Sequence, residues 1–159
     1  MSRVLDKLTH KPASIAIVMA AGLVGCAASP PQQFTVDNSH FTPCVSAPHC
    51  VSSQAAPGDS HYVMPLAYTG SAEQAKHALL AVLAGEDNAK IVSSEGRFVH
   101  ATFTTTLGFV DDVSFLVQPT ESVIDVKSSS RIGYYDFGVN RDRVERIRKA
   151  FAQRTGDEI

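Results

Sequence analysis

The apolar run that stops at Cys26 does most to limit what this chain can fold into. Arg3, Lys7 and Lys11 precede an apolar stretch from Ile15 to Val24, and small residues lead up to the cysteine. A basic start, a short apolar core and small residues before a cut mark a secretory signal peptide. At roughly 10–14 apolar residues the run is too short for about 30 Å of hydrocarbon. It also carries Gly22 and Gly25. Residues 1–25 are therefore expected to be removed, which leaves 134 residues of the 159 to fold. That is room for one domain with one core.

The segment Leu23-Val24-Gly25-Cys26 resembles a bacterial lipoprotein signal, a lipobox. The resemblance implies that Cys26 is diacylated, becomes the new N-terminus and is then acylated again. Two or three acyl chains would anchor the protein to a membrane stably, where one binds only marginally. Ala27 and Ala28 follow, and no Asp stands directly after the cysteine. By resemblance to Gram-negative lipoproteins this favours the outer membrane, with the domain in the periplasm. Removing the signal leaves 11 basic and 15 acidic side chains, a balance of −4. That balance argues against nucleic acid as a partner.

With Cys26 assigned to lipid, Cys44 and Cys50 remain as an even pair, and an oxidising periplasm lets such pairs form disulfides. The short loop Val45–His49 can bend back to close one. The alternative is a metal site using Cys44, His49, Cys50 and His61, although zinc spacings are usually tighter pairs. No metal or cofactor is expected.

Residues 26–43 form the lipid anchor and tether, 44–155 a single domain and 156–159 a tail. From Phe34 to Gly70 there is little periodicity and much proline, which predicts an irregular arm, with Tyr62, Met64, Leu66 and Tyr68 alternating like a short edge strand. A helix is expected from Ala72 to about Gly85, capped by Ser71 with Gln74 in the reciprocal position. Its apolar stripe is Ala75, Leu79, Val82 and Leu83. Strands are expected over Ala89–Ser94, Arg97–Thr105, the alternation Val113, Phe115, Val117, and Val123–Ser128. A last helix starts near Asn140 as cap, buries Val144, Ile147, Ala150 and Phe151, and ends before Gly156. The fold class is α+β, a two-layer domain with an antiparallel meander of about four strands and two helices on one face.

One block is dense in polar and special residues: Ser128-Ser129-Ser130-Arg131-Ile132-Gly133-Tyr134-Tyr135-Asp136-Phe137-Gly138-Val139-Asn140-Arg141. This block, with Cys50-Val51-Ser52-Ser53 and Phe109-Val110-Asp111-Asp112-Val113, resembles the bacterial and plastid family called domain of unknown function 1499. The likeness runs from about Cys44 to Phe151. It implies no biochemical activity.

Within the block, Gly133 and Gly138 bracket a loop at a helix start, where free N–H groups favour an anion. Arg131, Arg141 and Arg143 could add charge suited to carboxylate or phosphate. The competing reading pairs Arg131 with Asp112 as a structural ion pair and uses Asp136 to cap or turn the loop. The candidate set is thus Asp112, Ser129, Ser130, Arg131, Gly133, Asp136, Asn140 and Arg141, serving either an anionic ligand or the fold. Adjacent Asp111 and Asp112 should point to opposite faces of a strand, so they cannot share a proton or a metal. No residue is assigned a catalytic role. The functional expectation is a non-catalytic binding or structural module with an anion or headgroup site, or a site for an envelope protein. The alternative is a small envelope hydrolase using Ser52, Ser129 or Ser130 with His61 or His100, although no G-x-S-x-G elbow is present. The basic last helix could touch anionic membrane or simply be solvated, with Asp142–Arg146 and Glu145–Lys149 at i,i+4 spacing.

Overall fold

The computed structural model describes residues 40–157, which form one sheet with two helices packed on one of its faces. The signal segment, Cys26 and the tether as far as residue 39 lie outside the described residues. In chain order the elements are β1 (Cys50–Ser52), β2 (Leu66–Ala67), α1 (Ala72–Ala84), β3 (Ala89–Glu95), β4 (Phe98–Thr104), β5 (Val110–Gln118), β6 (Val123–Ser130) and α2 (Val139–Thr155). The fold is α+β, and all strand pairs in its one sheet are antiparallel.

The sheet has six strands rather than the four expected. β3 to β6 form the meander, in the order β6-β5-β4-β3, while β1 and β2 both pair along the free edge of β6. Cys50 to Ser52 lie opposite Ser129 to Lys127, and Leu66–Ala67 lie opposite Ile124–Val123. Strands of three and two residues are too short to show a period, so the alternation Tyr62 to Tyr68 disclosed only part of this edge.

One face of the sheet buries Val99, Ala101 and Phe103 of β4 with Phe115, Val117, Ile124 and Val126 of β5 and β6. Against it pack Ala75, Leu79 and Leu83 of α1 and Val144, Ile147 and Phe151 of α2. Ser71 and Gln74 form the expected capping box: the Ser71 side chain accepts from Gln74 N at 3.2 Å, and Gln74 Oε1 accepts from Ser71 N at 3.1 Å. Helix α2 begins differently. Gly138 takes the cap position in a left-handed conformation, and Asn140 sits fully buried within the first turn.

The opposite face is covered in part by the arm that leads into β1. Phe41 and Thr42 fall in the stretch expected to be tether, yet Phe41 is buried and Thr42 accepts two hydrogen bonds from Lys127. A Cys44–Cys50 disulfide closes the end of this arm. On α2, Arg146 reaches Glu86 after α1 and Glu145 pairs with Arg148, in place of the expected i,i+4 partners. No helix among the described residues is long and apolar enough to cross a membrane.

Candidate functional site at one end of the sheet

Strand geometry sends adjacent Asp111 and Asp112 to opposite faces, and each is met by a different arginine. Asp111, on the helix side, accepts from Arg143 Nη2 at 2.5 Å. Arg143 Nη1 also donates to Asn140 Oδ1 at 2.7 Å and to Ser128 Oγ at 3.1 Å, and the guanidinium carbon lies 4.9 Å from the Phe103 ring centroid. The second Asp111 oxygen is buried without a partner. A helix-face arginine that sequence reading left to solvent or to an anion is therefore a core residue.

Asp112, on the other face, is fully buried. It accepts from Arg131 Nε at 2.7 Å and Nη2 at 2.9 Å, and from His100 Nε2 at 2.8 Å. Burial pushes its carboxyl toward the neutral form, but hydrogen bonds from His100 and Arg131 outweigh that and hold it below the usual carboxylate range.

The loop amides read as an anion cradle hold a carboxylate of the chain itself. Asp136 accepts from Gly138 N at 3.0 Å, Asn140 N at 2.9 Å and Asn140 Nδ2 at 2.8 Å. Burial opposes ionisation here too, and the bonds from Asn140 and Gly138 overcome it, so the Asp136 pKa is lowered. Asn140 Nδ2 also lies within hydrogen-bond distance of Ser130 Oγ and the His49 carbonyl, so its two protons are shared among three acceptors that tie α2 to β6 and to the arm. Arg141 donates to the carbonyls of Tyr62 and Ser60. Gly133 has φ of +100° and no neighbour within 4 Å of an added Cβ, so it serves the turn and no close approach.

The serines and histidines of the hydrolase alternative bond elsewhere. Ser52 Oγ accepts from Gln54 N, Ser129 Oγ reaches the Ser130 carbonyl, His61 Nδ1 lies 2.8 Å from the Cys50 carbonyl, and His100 is held by Asp112. Among the described residues no cluster of His, Cys, Asp and Glu is arranged to hold a metal ion. The disulfide takes both cysteines of the metal alternative.

Two cavities open at this end. One, of about 350 Å³, lies between the arm (Thr42 to Val45, His49, Cys50) and Lys127, Ser129, Ser130 and Arg131 of β6 and the loop after it. Lys127 is only 4% exposed, and its Nζ donates to Thr42 O and Oγ1, both at 2.8 Å. No carboxylate of the described residues forms an ion pair with it. Burial alone pushes its pKa down to about 8. The buried His49 Nδ1 beside it has no partner.

The second cavity, of about 340 Å³, lies between the β4–β5 loop and the β6–α2 loop, with Asp111, Ser130 and Asp136 among its lining and Leu107, Phe109, Ile132 and Phe137 around it. Seven of the eleven exposed large apolar side chains of the described residues belong to these two loops and the first residue of α2. Sequence reading passed over them, because it weighed the loop for charge. The available signal was apolar residues without period beside Gly108, Gly133 and Gly138. Lys127 was missed as well: it reads as a polar residue opposite Val126, and its burial comes from the distant arm.

These features define a small α+β domain whose polar loop block is tied inward and whose two cavities open at one end of the sheet. Over residues 40–151 the chain matches the model of the family described as "Protein of unknown function (DUF1499)", and it belongs to that family. No curated protein and no solved structure matched the chain.

Proposed function

We propose that the protein is a lipid-anchored, non-catalytic binding module of the cell envelope that holds an anionic group in the cavity between the arm and β6. In this reading Cys26 carries acyl chains in the outer membrane, and the domain stands in the periplasm. One observation carries the binding role: Lys127 is a buried cation that no carboxylate of the described residues neutralises, on the wall of a cavity that Arg131, Ser129, Ser130 and His49 also line. A buried charge without a counter-charge is costly, and a phosphate or carboxylate would supply one. Arg131 can add an N–H donor without leaving Asp112, since its third nitrogen takes no part in that pair.

The same chemistry serves a free phosphate or a lipid headgroup. The test is the melting temperature of the purified protein against inorganic phosphate, with chloride at matched ionic strength as reference. Phosphate should raise the melting temperature saturably, and the effect should fade as pH rises through about 8, where Lys127 loses its proton. Lys127→Met should abolish the rise, while the exposed Arg154→Ala keeps it. An equal rise in Lys127→Met and the parent overturns the site. Acyl labelling that persists in Cys26→Ser overturns the anchor. If phosphatidylglycerol micelles stabilise where phosphate does not, the source of the anion is a headgroup.

A further inference from the structure

We propose that the β4–β5 and β6–α2 loops are a membrane-docking surface that seats its apolar tips in the bilayer interface. Phe137 is 85% exposed, Leu107 82% and Tyr134 73%, with Ile132 and Tyr135 more than half exposed beside them. A soluble domain gathers such side chains on one patch when something apolar covers it. The protrusion is built into the backbone. Phe137 has φ of +56°, a conformation side chains seldom adopt, and it is fixed there by the neighbouring Asp136, which clamps Gly138 N and Asn140 N.

Two observations select a lipid surface as occupant. Residues 105–109 carry no charge, and residues 131–139 carry only Arg131 and Asp136, both engaged inside the domain. A patch of Phe, Leu, Ile and Tyr without free charge matches the headgroup–acyl boundary, where tyrosine is enriched. The second is reach: His40 follows Cys26 by 14 residues, at most about 50 Å of extended chain. A domain confined so near a bilayer docks through contacts too weak for a free protein. The anion cavity shares Ser130 with the apolar cavity, so a seated domain would bring Lys127 and Arg131 close to headgroup depth. This inference rests on the anchoring reading for that proximity.

The chain contains no tryptophan, so a single introduced one reports alone. The acylated full chain carrying Phe137→Trp or Leu107→Trp is reconstituted in vesicles of phosphatidylcholine and phosphatidylglycerol, with Val92→Trp on β3 as the reference. The loop tryptophans should emit further to the blue, be quenched by brominated lipid and be at least several-fold less accessible to iodide than Val92→Trp. Equal iodide quenching at all three positions overturns the proposal. Blue-shifted emission that depends on protein concentration and needs no vesicles also overturns it, in favour of a second copy of the chain. Failure of the anchor is distinguished by mass: a chain without acyl groups leaves the vesicles whatever the loops do.

Discussion

At the scale of single residues, burial ranks the arginines. Arg143 is 2% exposed, and its Asp111 partner already has one oxygen unpaired, so no second donor can replace it. Arg131 keeps 17% of its side chain in solvent, and Asp112 would retain His100 if it were lost. Removing one member of a buried pair costs about 3–5 kcal/mol, because the other charge is left behind. Arg143→Ala should therefore lower the melting temperature by more than about 10 °C, and Arg131→Ala by less. Arg154→Ala, on the exposed end of α2, should stay within about 0.5 kcal/mol of the parent. Calorimetry on the three variants checks the order, and an Arg131→Ala more damaging than Arg143→Ala would overturn the ranking. The Asp112–Arg131 pair could be anticipated from sequence, because both sit at strand ends near a turn. The Asp111–Arg143 pair could not, since it depends on which face of α2 meets β5.

At the scale of elements, local pattern was a good guide wherever an element was long enough to have a period. Helix α1 shows its cap and its stripe, and β4 shows its alternation from Val99 to Phe103. β1 is held by its pairing with β6 and by the disulfide at Cys50, neither of which leaves a period in three residues. The start of α2 misled for a related reason. Asn140 has the side chain of a cap, but Asp136, four residues earlier, performs the capping and leaves Asn140 free to bridge β6 and the arm. Asp136→Ala would strip the partner from two N–H groups and release Phe137 from its left-handed backbone. The expected cost is about 1–2 kcal/mol, in the range of lost helix caps. Hydrogen exchange should quicken at residues 138–141 while Ile147 and Phe151 stay protected. Uniform exchange along α2 in the variant would show that Asp136 caps nothing.

At the scale of the whole molecule, the two sheet faces do different work, and pH separates them. The helix face is apolar apart from the Asp111–Arg143 group, whereas the other face buries Asp112 beneath Arg131 and His100, and Lys127 beneath the arm. Asp112 and Asp136 both have folded pKa values below 3.8. Their stabilisation is complete above the unfolded value and is lost as pH falls beneath it, so the protein should weaken below about pH 4. Lys127 acts at the other end, with the opposite consequence. Its folded pKa is about 8 against 10.5 for an ordinary lysine. Between those values the unfolded chain binds the proton and the folded one does not, so stability rises with pH across that window. A change on the order of 2 kcal/mol is expected from pH 8 to 10. Tyr68, whose pKa is raised by burial, reverses the trend above pH 10, because the unfolded chain then ionises first. Thermal melts from pH 7 to 10 should therefore show a rising melting temperature in the parent and a flat one in Lys127→Met. A parallel rise in both would mean that the arm does not seal Lys127 from water. The proposed anion site rests on that burial, because a cation removed from water and left without a counter-charge gains most when an anion reaches it.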